Sequence, residues 1–200
     1  MLRNQIRPAV VLTLALMLIT GLLYPGLVTV LAQTLFPRQA NGSLVSVAGR
    51  PVGSELNGQG FTRPEYFHPR PSAAGAGYDG LASGGTNKGP TDRKLADTLI
   101  AQSVAQVRAE DGVSGPVPAD AATRSASGLD PHVSPANARM QIGRVARARG
   151  VDATRVRALV EAHVEGRTAG LLGEPRVNVL MLNLDLDRTL GAPPRAGAPR

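Results

Sequence analysis

The longest hydrophobic pattern in the chain is an uncharged segment between Pro8 and Pro37. As a helix, its most apolar part, residues 9–32, would be about 36 Å long at 1.5 Å per residue, enough to cross a hydrocarbon core of about 30 Å. The alternative is a cleavable signal peptide, whose apolar core is shorter, about 7 to 15 residues. The length therefore predicts an uncleaved transmembrane helix over residues 9–36, with all later residues on one side of a membrane.

Arg3 and Arg7 precede this span, and positive charge is sparser directly after it. Basic residues that flank a membrane helix favour the cytoplasmic side. The pattern predicts a cytoplasmic N-terminus over residues 1–8 and an extracytoplasmic domain over residues 37–190.

Within the span, Pro25 has no amide hydrogen, and its ring conflicts with the carbonyl of Gly21 four residues back. A kink is expected there, and the freed carbonyl needs a partner such as the Thr20 hydroxyl. Small residues allow a second helix to approach closely. We expect Gly21, Pro25 and Gly26 to form a face that docks against a partner in the membrane; the alternative is a lone lipid-facing anchor with a harmless kink.

After the span, hydrophobic residues alternate weakly over residues 41–61, which predicts an irregular hairpin that turns at Gly49-Arg50-Pro51. Residues 62–90 are rich in Pro and Gly, so no helical period persists. Most aromatic residues of the chain fall in or beside this loop: Phe61, Tyr66, Phe67 and Tyr78. Because disordered segments are poor in aromatic residues, we expect an ordered loop over 61–91 that packs on the domain or on a partner.

Helical spacing of apolar residues returns in three later segments. They lie between Asp92 and Gly112, between Ser134 and Gly150, and between Asp152 and Gly166, each with a capping residue at its start and glycine at its end. Residues 176–186 are rich in β-branched and aliphatic residues and predict a buried strand that turns helical near Leu184. Residues 191–200 predict a disordered tail. The fold class is therefore α+β: one transmembrane helix followed by a single small mixed α/β soluble domain.

The composition narrows the possible partners. The net charge is +7, but the arginines are scattered, and the chain has three Phe, three Tyr and no Trp. Platforms on which bases stack are therefore missing, which argues against nucleic acid. The basic residues between 139 and 157 are interpreted as solvated helix faces. No cysteine is present, which excludes disulfides and thiolate metal sites.

Three motifs resemble reactive sites but lack the required geometry. In Gly84-Gly85-Thr86-Asn87-Lys88-Gly89-Pro90, the lysine precedes the last glycine, whereas a phosphate loop needs it afterwards. Asp130, His132 and Ser134 are too close in sequence for a hydrolytic triad, so a turn and a helix cap are the better interpretation. Glu65 and His68 have metal-ligand spacing only on a helix, which the neighbouring prolines prevent. We expect no catalytic residue and no metal site.

Six segments form a distinctive combination: ANGSL from Ala40, GQGF from Gly58, YFHPRPSAAG from Tyr66, SGGTNKGPT from Ser83, SASGLDPHVSP from Ser125 and GEPRVNVLMLNLDLD from Gly173. Together they resemble the C subunit family of the Kdp-type potassium-transporting P-type ATPase. The anchor is similar too, and the resemblance covers most of the chain.

The resemblance implies a non-catalytic accessory subunit in a bacterial inner (plasma) membrane. Its implied partners are a pore-forming potassium-translocating subunit and a P-type subunit that hydrolyses ATP, whose ATP affinity it would support. No tightly bound cofactor is implied, and ATP would be met through the catalytic partner. The alternative is an independent membrane-anchored binding or hydrolytic domain.

An extracytoplasmic domain cannot reach cytoplasmic ATP, so either the coupling passes through the anchor helix or the orientation is reversed. For direct contact, the candidate is Gln141, interpreted as an exposed helical residue between Arg139 and Arg144, whose amide would meet the base or ribose while the arginines meet phosphates. In the loop, the candidates for partner docking are Tyr66, Arg70, Tyr78 and Asn87.

Overall fold

The computed structural model describes residues 2–193 of the 200-residue chain, so the last part of the predicted tail lies outside the described residues. The chain forms two compact units that divide between Val52 and Gly53. This division lies later than the predicted end of the membrane span at residue 36, because a short helix and most of a hairpin belong to the N-terminal unit.

The N-terminal unit is dominated by one long helix with three parts: α1 (Leu2–Leu18), a π-helical turn (Ile19–Leu23) and α2 (Tyr24–Leu35). Residues Arg3–Leu35 are long and apolar enough to cross a membrane, and the most apolar window is not buried by any described residue. The helix begins before Pro8, so Arg3 and Arg7 are helical rather than part of an extended N-terminus.

The predicted disturbance at Pro25 takes the form of the π-helical turn. The amide of Tyr24 donates to the carbonyl of Ile19, five residues back, and Pro25 lies in the first turn of α2, where an amide is not needed. The Thr20 hydroxyl donates to the carbonyl of Leu16 (2.7 Å). The expectation that Thr20 would serve the carbonyl of Gly21 was therefore wrong.

The helix α3 (Pro37–Ala40) leads into a hairpin of β1 (Leu44–Val47) and β2 (Arg50–Ser54). Ala48 and Gly49 form its tip with φ of 50° and 76°. The hairpin was predicted, but its turn lies slightly earlier than expected, because Arg50 and Pro51 already belong to β2. Positive φ at both central residues suits the right-handed twist of a tight hairpin.

The C-terminal unit combines short helices with one small sheet. Its elements are a π-helical turn (Leu95–Ile100), α4 (Ala101–Asp111), α5 (Ala119–Ala122), β3 (His132–Val133), α6 (Pro135–Arg149), α7 (Ala153–Ala162), β4 (Val164–Glu165), β5 (Arg176–Asn178) and α8 (Val179–Leu190). The sheet is antiparallel in the order β3-β5-β4, with His132 opposite Asn178 and Val164 opposite Val177. The fold is α+β, as predicted.

The predicted helix caps are present. The Ser134 hydroxyl accepts from the amide of Asn137 (3.1 Å) at the start of α6, and Asp152 accepts from the amide of Thr154 (2.7 Å) before α7. Gly150 ends α6 in the left-handed region with φ of 65°. The third helix ends earlier than predicted, because residues after His163 join the sheet as β4.

The strand predicted over residues 176–186 was wrong from Val179 onward. The side chain of Asn178 accepts from the amide of Met181 (3.2 Å) and caps α8. Along α8 the buried positions recur with helical spacing, at Val179, Leu180, Leu182, Asn183 and Leu186. An apolar run of this length fits both periods, and the cap at Asn178 decides for a helix.

The hydrophobic core lies between α6, α7, α8 and the sheet. Its buried members are Phe67, Val133, Ala138, Ile142, Val145, Ala146, Val156, Val160, Val177, Val179, Leu182 and Leu186. Phe67 is the largest fully buried side chain and comes from the long loop rather than from a helix or strand. The loop therefore belongs to the core of this unit.

Candidate functional site

The structure concentrates its polar contacts on a short segment of the loop, residues 64–68, which we call the clasped segment. It has no regular secondary structure. Buried backbone groups outside a helix or sheet need other hydrogen-bond partners. Here those partners are side chains from α6 and α8.

Two carboxamides each bind one residue of the clasped segment. Asn183 accepts from the amide of Phe67 (2.8 Å) and donates to its carbonyl (3.0 Å). Gln141 accepts from the amide of His68 (2.7 Å) and donates to its carbonyl (3.0 Å). A carboxamide presents the same donor and acceptor as a peptide group, so each pair reproduces the bonding of a neighbouring strand.

Arg144 supplies the next contacts. Its Nη1 donates to the carbonyls of Pro64 and Tyr66, both at 2.8 Å. Its Nε donates to Asp111 (2.7 Å), with both side chains of this pair almost fully buried. Because the planar guanidinium offers five donors in fixed directions, one side chain can hold two carbonyls and a carboxylate together.

Arg149 binds the other side of the clasped segment, and we call the four side chains that hold this segment, Gln141, Arg144, Arg149 and Asn183, the clasp. Its Nε donates to the carbonyl of Glu65 (2.7 Å) and its Nη2 to Asp187 (2.7 Å). Asp187 also accepts from the hydroxyl of Tyr66 (2.9 Å), and the guanidinium of Arg149 lies 5.1 Å from the centre of the Tyr66 ring. Burial and the bond to Asp187 raise the pKa of the Tyr66 hydroxyl.

These contacts locate the three candidates for nucleotide contact. Gln141 is only 3% exposed, and its amide is fully used by His68, by Arg144 (2.6 Å) and by Asn137 (2.8 Å). The interpretation of Gln141 as an exposed residue was therefore wrong: it lies on the inner side of α6. Arg139 is exposed and forms a bidentate pair with Glu161, with both distances 2.7 Å. Nucleotide contact by Gln141, Arg139 and Arg144 stays a prediction.

The candidates for partner docking in the loop are held by the domain itself. Arg70 donates to Asp130 (2.9 Å), and the Tyr78 hydroxyl donates to the carbonyl of Arg70 (2.6 Å). Burial raises the pKa of Tyr78 to about 12. Tyr66 belongs to the clasped segment, whereas Asn87 is exposed with φ of 51°. The aromatic residues pin the loop to the domain, as one of the two interpretations predicted, and contact with a partner stays a prediction.

Gly128 marks a close approach between the loop and the turn before β3. Its φ is 67°, and a Cβ atom there would lie 2.6 Å from the amide nitrogen of Ala74 and from the carbonyl oxygen of Gly84. The Ser72 hydroxyl donates to the carbonyl of Gly128 (2.6 Å). Only glycine fits this position, so the second half of the loop is also fixed to the domain.

Asp130, His132 and Ser134 do not form a hydrolytic triad. The Ser134 hydroxyl donates to Asp120 (2.8 Å), away from His132, and Asp130 accepts from the backbone amide of His132 (3.0 Å). Burial favours a higher pKa for Asp130, but hydrogen bonds from His132 and Arg70 outweigh it and lower the pKa to about 2. The predicted helix cap at Ser134 is confirmed, whereas Asp130 and Pro131 lie in irregular backbone rather than in a turn.

Large apolar side chains at two loop tips were missed in the sequence. Leu81 is 100% exposed, and Leu171 and Leu172 are 80% and 68% exposed. The available signal was leucine next to glycine, at Gly80-Leu81 and at Gly170-Leu171-Leu172-Gly173. Scattered exposed leucines are ordinary, but residues that protrude from tight turns are accessible to another surface.

The anchor helix leaves room around its small residues. A Cβ atom at Gly21 or Gly26 would meet nothing within 4 Å. Both positions are exposed in this chain.

Comparison with known proteins identifies the family. A family model described as KdpC, the c chain of the K⁺-transporting ATPase, matches residues 6–188. The chain belongs to the KdpC family. Curated relatives named potassium-transporting ATPase KdpC subunit include one from Gemmatimonas aurantiaca, 60% identical over 92% of this chain and 92% of the relative. A second relative, from Myxococcus xanthus, is 62% identical over 90% of this chain and 86% of the relative. A third, from Koribacter versatilis, is 52% identical over 96% of this chain and 98% of the relative.

As a KdpC subunit of a potassium-transporting ATPase, the chain has partner subunits. Among residues 2–193, one helix near the N-terminus is long and apolar enough to cross a membrane, which fits a single-pass membrane protein. The clasped segment and the three-stranded sheet of this KdpC chain belong to the domain that follows this helix in the sequence.

Proposed function

We propose that this chain is a non-catalytic accessory subunit that assembles with the pore-forming and the ATP-hydrolysing subunits of a potassium-transporting ATPase. The observation that carries the proposal is the Arg3–Leu35 helix, which is apolar and unburied by its own chain. Gly21 and Gly26 leave open space on its surface, and small residues allow membrane helices to pack closely. The anchor is then also an assembly surface.

The distribution of charge supports an extracytoplasmic domain. Near the span, Arg3 and Arg7 come before its apolar part, and positive charge is sparser directly after it, at Arg38 and Arg50. By the positive-inside rule the N-terminus is cytoplasmic.

We further propose that ATP is bound by the P-type partner. Gln141 and Arg144 are occupied by backbone groups of the clasped segment, which supports a structural role for both residues. Any effect of this subunit on the ATP affinity of its partner then passes through the anchor helix.

Co-purification of a tagged chain from detergent-solubilised membranes tests the assembly. We expect a pore-forming subunit and an ATPase subunit to accompany it. Replacing Gly21 and Gly26 by leucine should reduce their recovery without preventing membrane insertion, whereas alanine at both positions is the matched control and should retain more of it. If the partner subunits are fully recovered with leucine at both positions, the helix acts only as a tether. If neither partner subunit accompanies the unsubstituted chain, the proposed assembly is wrong.

Reporter fusions after Arg200 test the orientation. A reporter that is active only outside the cytoplasm should be active. Activity of a cytoplasmic reporter instead would reverse the orientation and make direct contact with ATP possible again.

A further inference from the structure

An open cleft of about 610 Å³ lies in the C-terminal unit, between the start of this unit and the turn before β3. Its lining includes Leu56, Arg70, Arg124, Ser125, Ser127 and Asp130. We call it the Arg124 cleft. It is separate from the clasped segment, none of whose residues line it.

Arg124 is unusual among the basic residues of this unit. Nine of the others pair with carboxylates, and those without such a pair are exposed. Arg124 alone is partly buried without an acidic partner among residues 53–193. Its Nε is shielded from solvent and lacks a hydrogen-bond acceptor among the described residues, which is also true of Nε in Arg70 and in Arg176, although both of these arginines pair with a carboxylate. A shielded donor without an acceptor is costly, so the site favours a ligand that supplies one.

The charges in the cleft define the kind of ligand. Arg70 is paired with Asp130 at 2.9 Å, which leaves one uncompensated positive charge, at Arg124. A carboxylate carries one negative charge and suits the planar donors of a guanidinium. A doubly charged phosphate would leave negative charge beside Asp130.

Neighbouring groups suit a side chain carried on a protein segment. Ser125 Oγ has only a long contact with Ser127 Oγ (3.5 Å), so its proton is available to a second acceptor. Leu56, at the rim of the cleft, is 53% exposed and offers an apolar surface beside the charge. An open cleft with both features fits an acidic residue next to an apolar one on an extended loop.

We propose that the Arg124 cleft is a docking site for an acidic side chain of a partner subunit, whose carboxylate pairs with Arg124. This inference rests on the proposed assembly, and it adds a specific contact outside the membrane. A charge contact of this kind fixes the orientation of the domain on its partner more than it adds affinity.

Photo-crosslinking in the assembled complex tests the proposal. A benzoyl-phenylalanine replaces Ala126, which is exposed and lines the cleft. We expect a crosslink to a partner subunit, at a peptide that mass spectrometry shows to contain Asp or Glu. Arg124→Ala and Arg124→Gln should each lower the yield about ten-fold, because the carboxylate loses its charged partner. Arg124→Lys should restore part of it, and Arg108→Ala, which removes an exposed unpaired arginine on α4, should leave the yield unchanged.

A charge swap gives the decisive result. Arg124→Glu should abolish the crosslink, and replacing the mapped acidic residue of the partner by arginine should restore it. A crosslink that goes only to lipid, or that persists undiminished in both Arg124→Ala and Arg124→Gln, overturns the proposal.

Two further measurements separate the alternatives. Co-purification of the partner subunits with the unmodified chain is measured first. If the complex is intact but no crosslink forms, the docking site is rejected and the proposed assembly stands. If the partner subunits do not co-purify, the proposed assembly is rejected. Inorganic phosphate is then titrated into the detergent-solubilised full chain while the Arg124 Nε–H signal is followed by NMR. Weak, unsaturated binding is expected, and tight saturation without a partner crosslink would assign the cleft to a free oxyanion and overturn the proposal.

Discussion

Asn183 and Phe67 are joined by a reciprocal pair of hydrogen bonds, although 116 residues separate them in the sequence. The bonds fix the backbone of Phe67 at the point where its ring enters the core. Loop and helix α8 are therefore ordered together: the ring fills the core only if the carboxamide holds the backbone, and the carboxamide is buried only if the ring is in place.

Replacing Asn183 by leucine should destabilise the domain by about 2 to 4 kcal/mol, because two buried backbone groups lose their partners. The matched control is Gln102→Leu on the exposed side of α4, which should change stability by less than about 0.5 kcal/mol. Urea unfolding of the detergent-solubilised chain, followed by tyrosine fluorescence, measures both. Hydrogen exchange should also show faster exchange at the Phe67 amide, and unchanged exchange there would contradict the role given to Asn183.

Local rules were enough to predict much of the fold. Ser134, Asp152 and Gly150 act through neighbours within a few residues, so their capping roles can be read directly from the sequence. The same holds for the membrane helix, whose length and lack of charge need no tertiary context.

The clasp was not predictable in this way. Gln141 binds His68 across 73 residues, and nothing near Gln141 in the sequence indicates that its carboxamide meets the backbone of a distant loop. The stretch after Asn178 was misassigned for a different reason: a run rich in aliphatic residues fits a strand or a buried helix, and the cap that Asn178 provides for a helix was overlooked.

The hydrogen bonds that Asp130 forms with His132 and Arg70 predict a dependence of stability on pH. The pKa of Asp130 in the folded state is lowered from 3.8 to about 2, so the folded protein holds the proton less tightly than the unfolded chain. The stabilisation is therefore complete above pH 4 and is lost as the pH falls towards 2.

Asp130→Asn should cost about 1 to 2 kcal/mol at pH 6, once solvent screening is allowed for. The difference from the unsubstituted chain should shrink as the pH falls below 4 and vanish near 2. Unfolding by urea at several pH values measures this, with Arg139→Ala as the control for loss of an exposed ion pair. If the difference in unfolding free energy between the two chains stays constant down to pH 2, the contacts of ionised Asp130 with His132 and Arg70 do not cause it.

Gly128 predicts how the second half of the loop is held. Gly128→Ala places a methyl group 2.6 Å from backbone atoms of Ala74 and Gly84, in a backbone conformation with φ of 67°. We expect a loss of about 1 to 3 kcal/mol and faster tryptic cleavage after Lys88, which is followed by Gly89. Gly166→Ala is the control, since a Cβ atom there meets nothing within 4 Å. Equal cleavage of the two variants would mean that the close approach does not restrain the loop.

Variants of Gln141 and Arg139 distinguish a structural role of these residues from contact with ATP. Gln141 is buried and hydrogen-bonded to His68, whereas Arg139 is exposed, and its solvent-screened pair with Glu161 adds little to stability. If either contacted ATP, its removal would raise the KM for ATP of the assembled potassium-stimulated ATPase.

We expect instead that Arg139→Ala leaves both KM and kcat unchanged. We expect Gln141→Leu to lower the amount of folded, assembled subunit without changing the KM of the complexes that form. The measurement is steady-state ATPase activity normalised to the content of this subunit in each preparation. A raised KM with Arg139→Ala at normal subunit content would show that α6 reaches the nucleotide, which also requires the domain to be cytoplasmic.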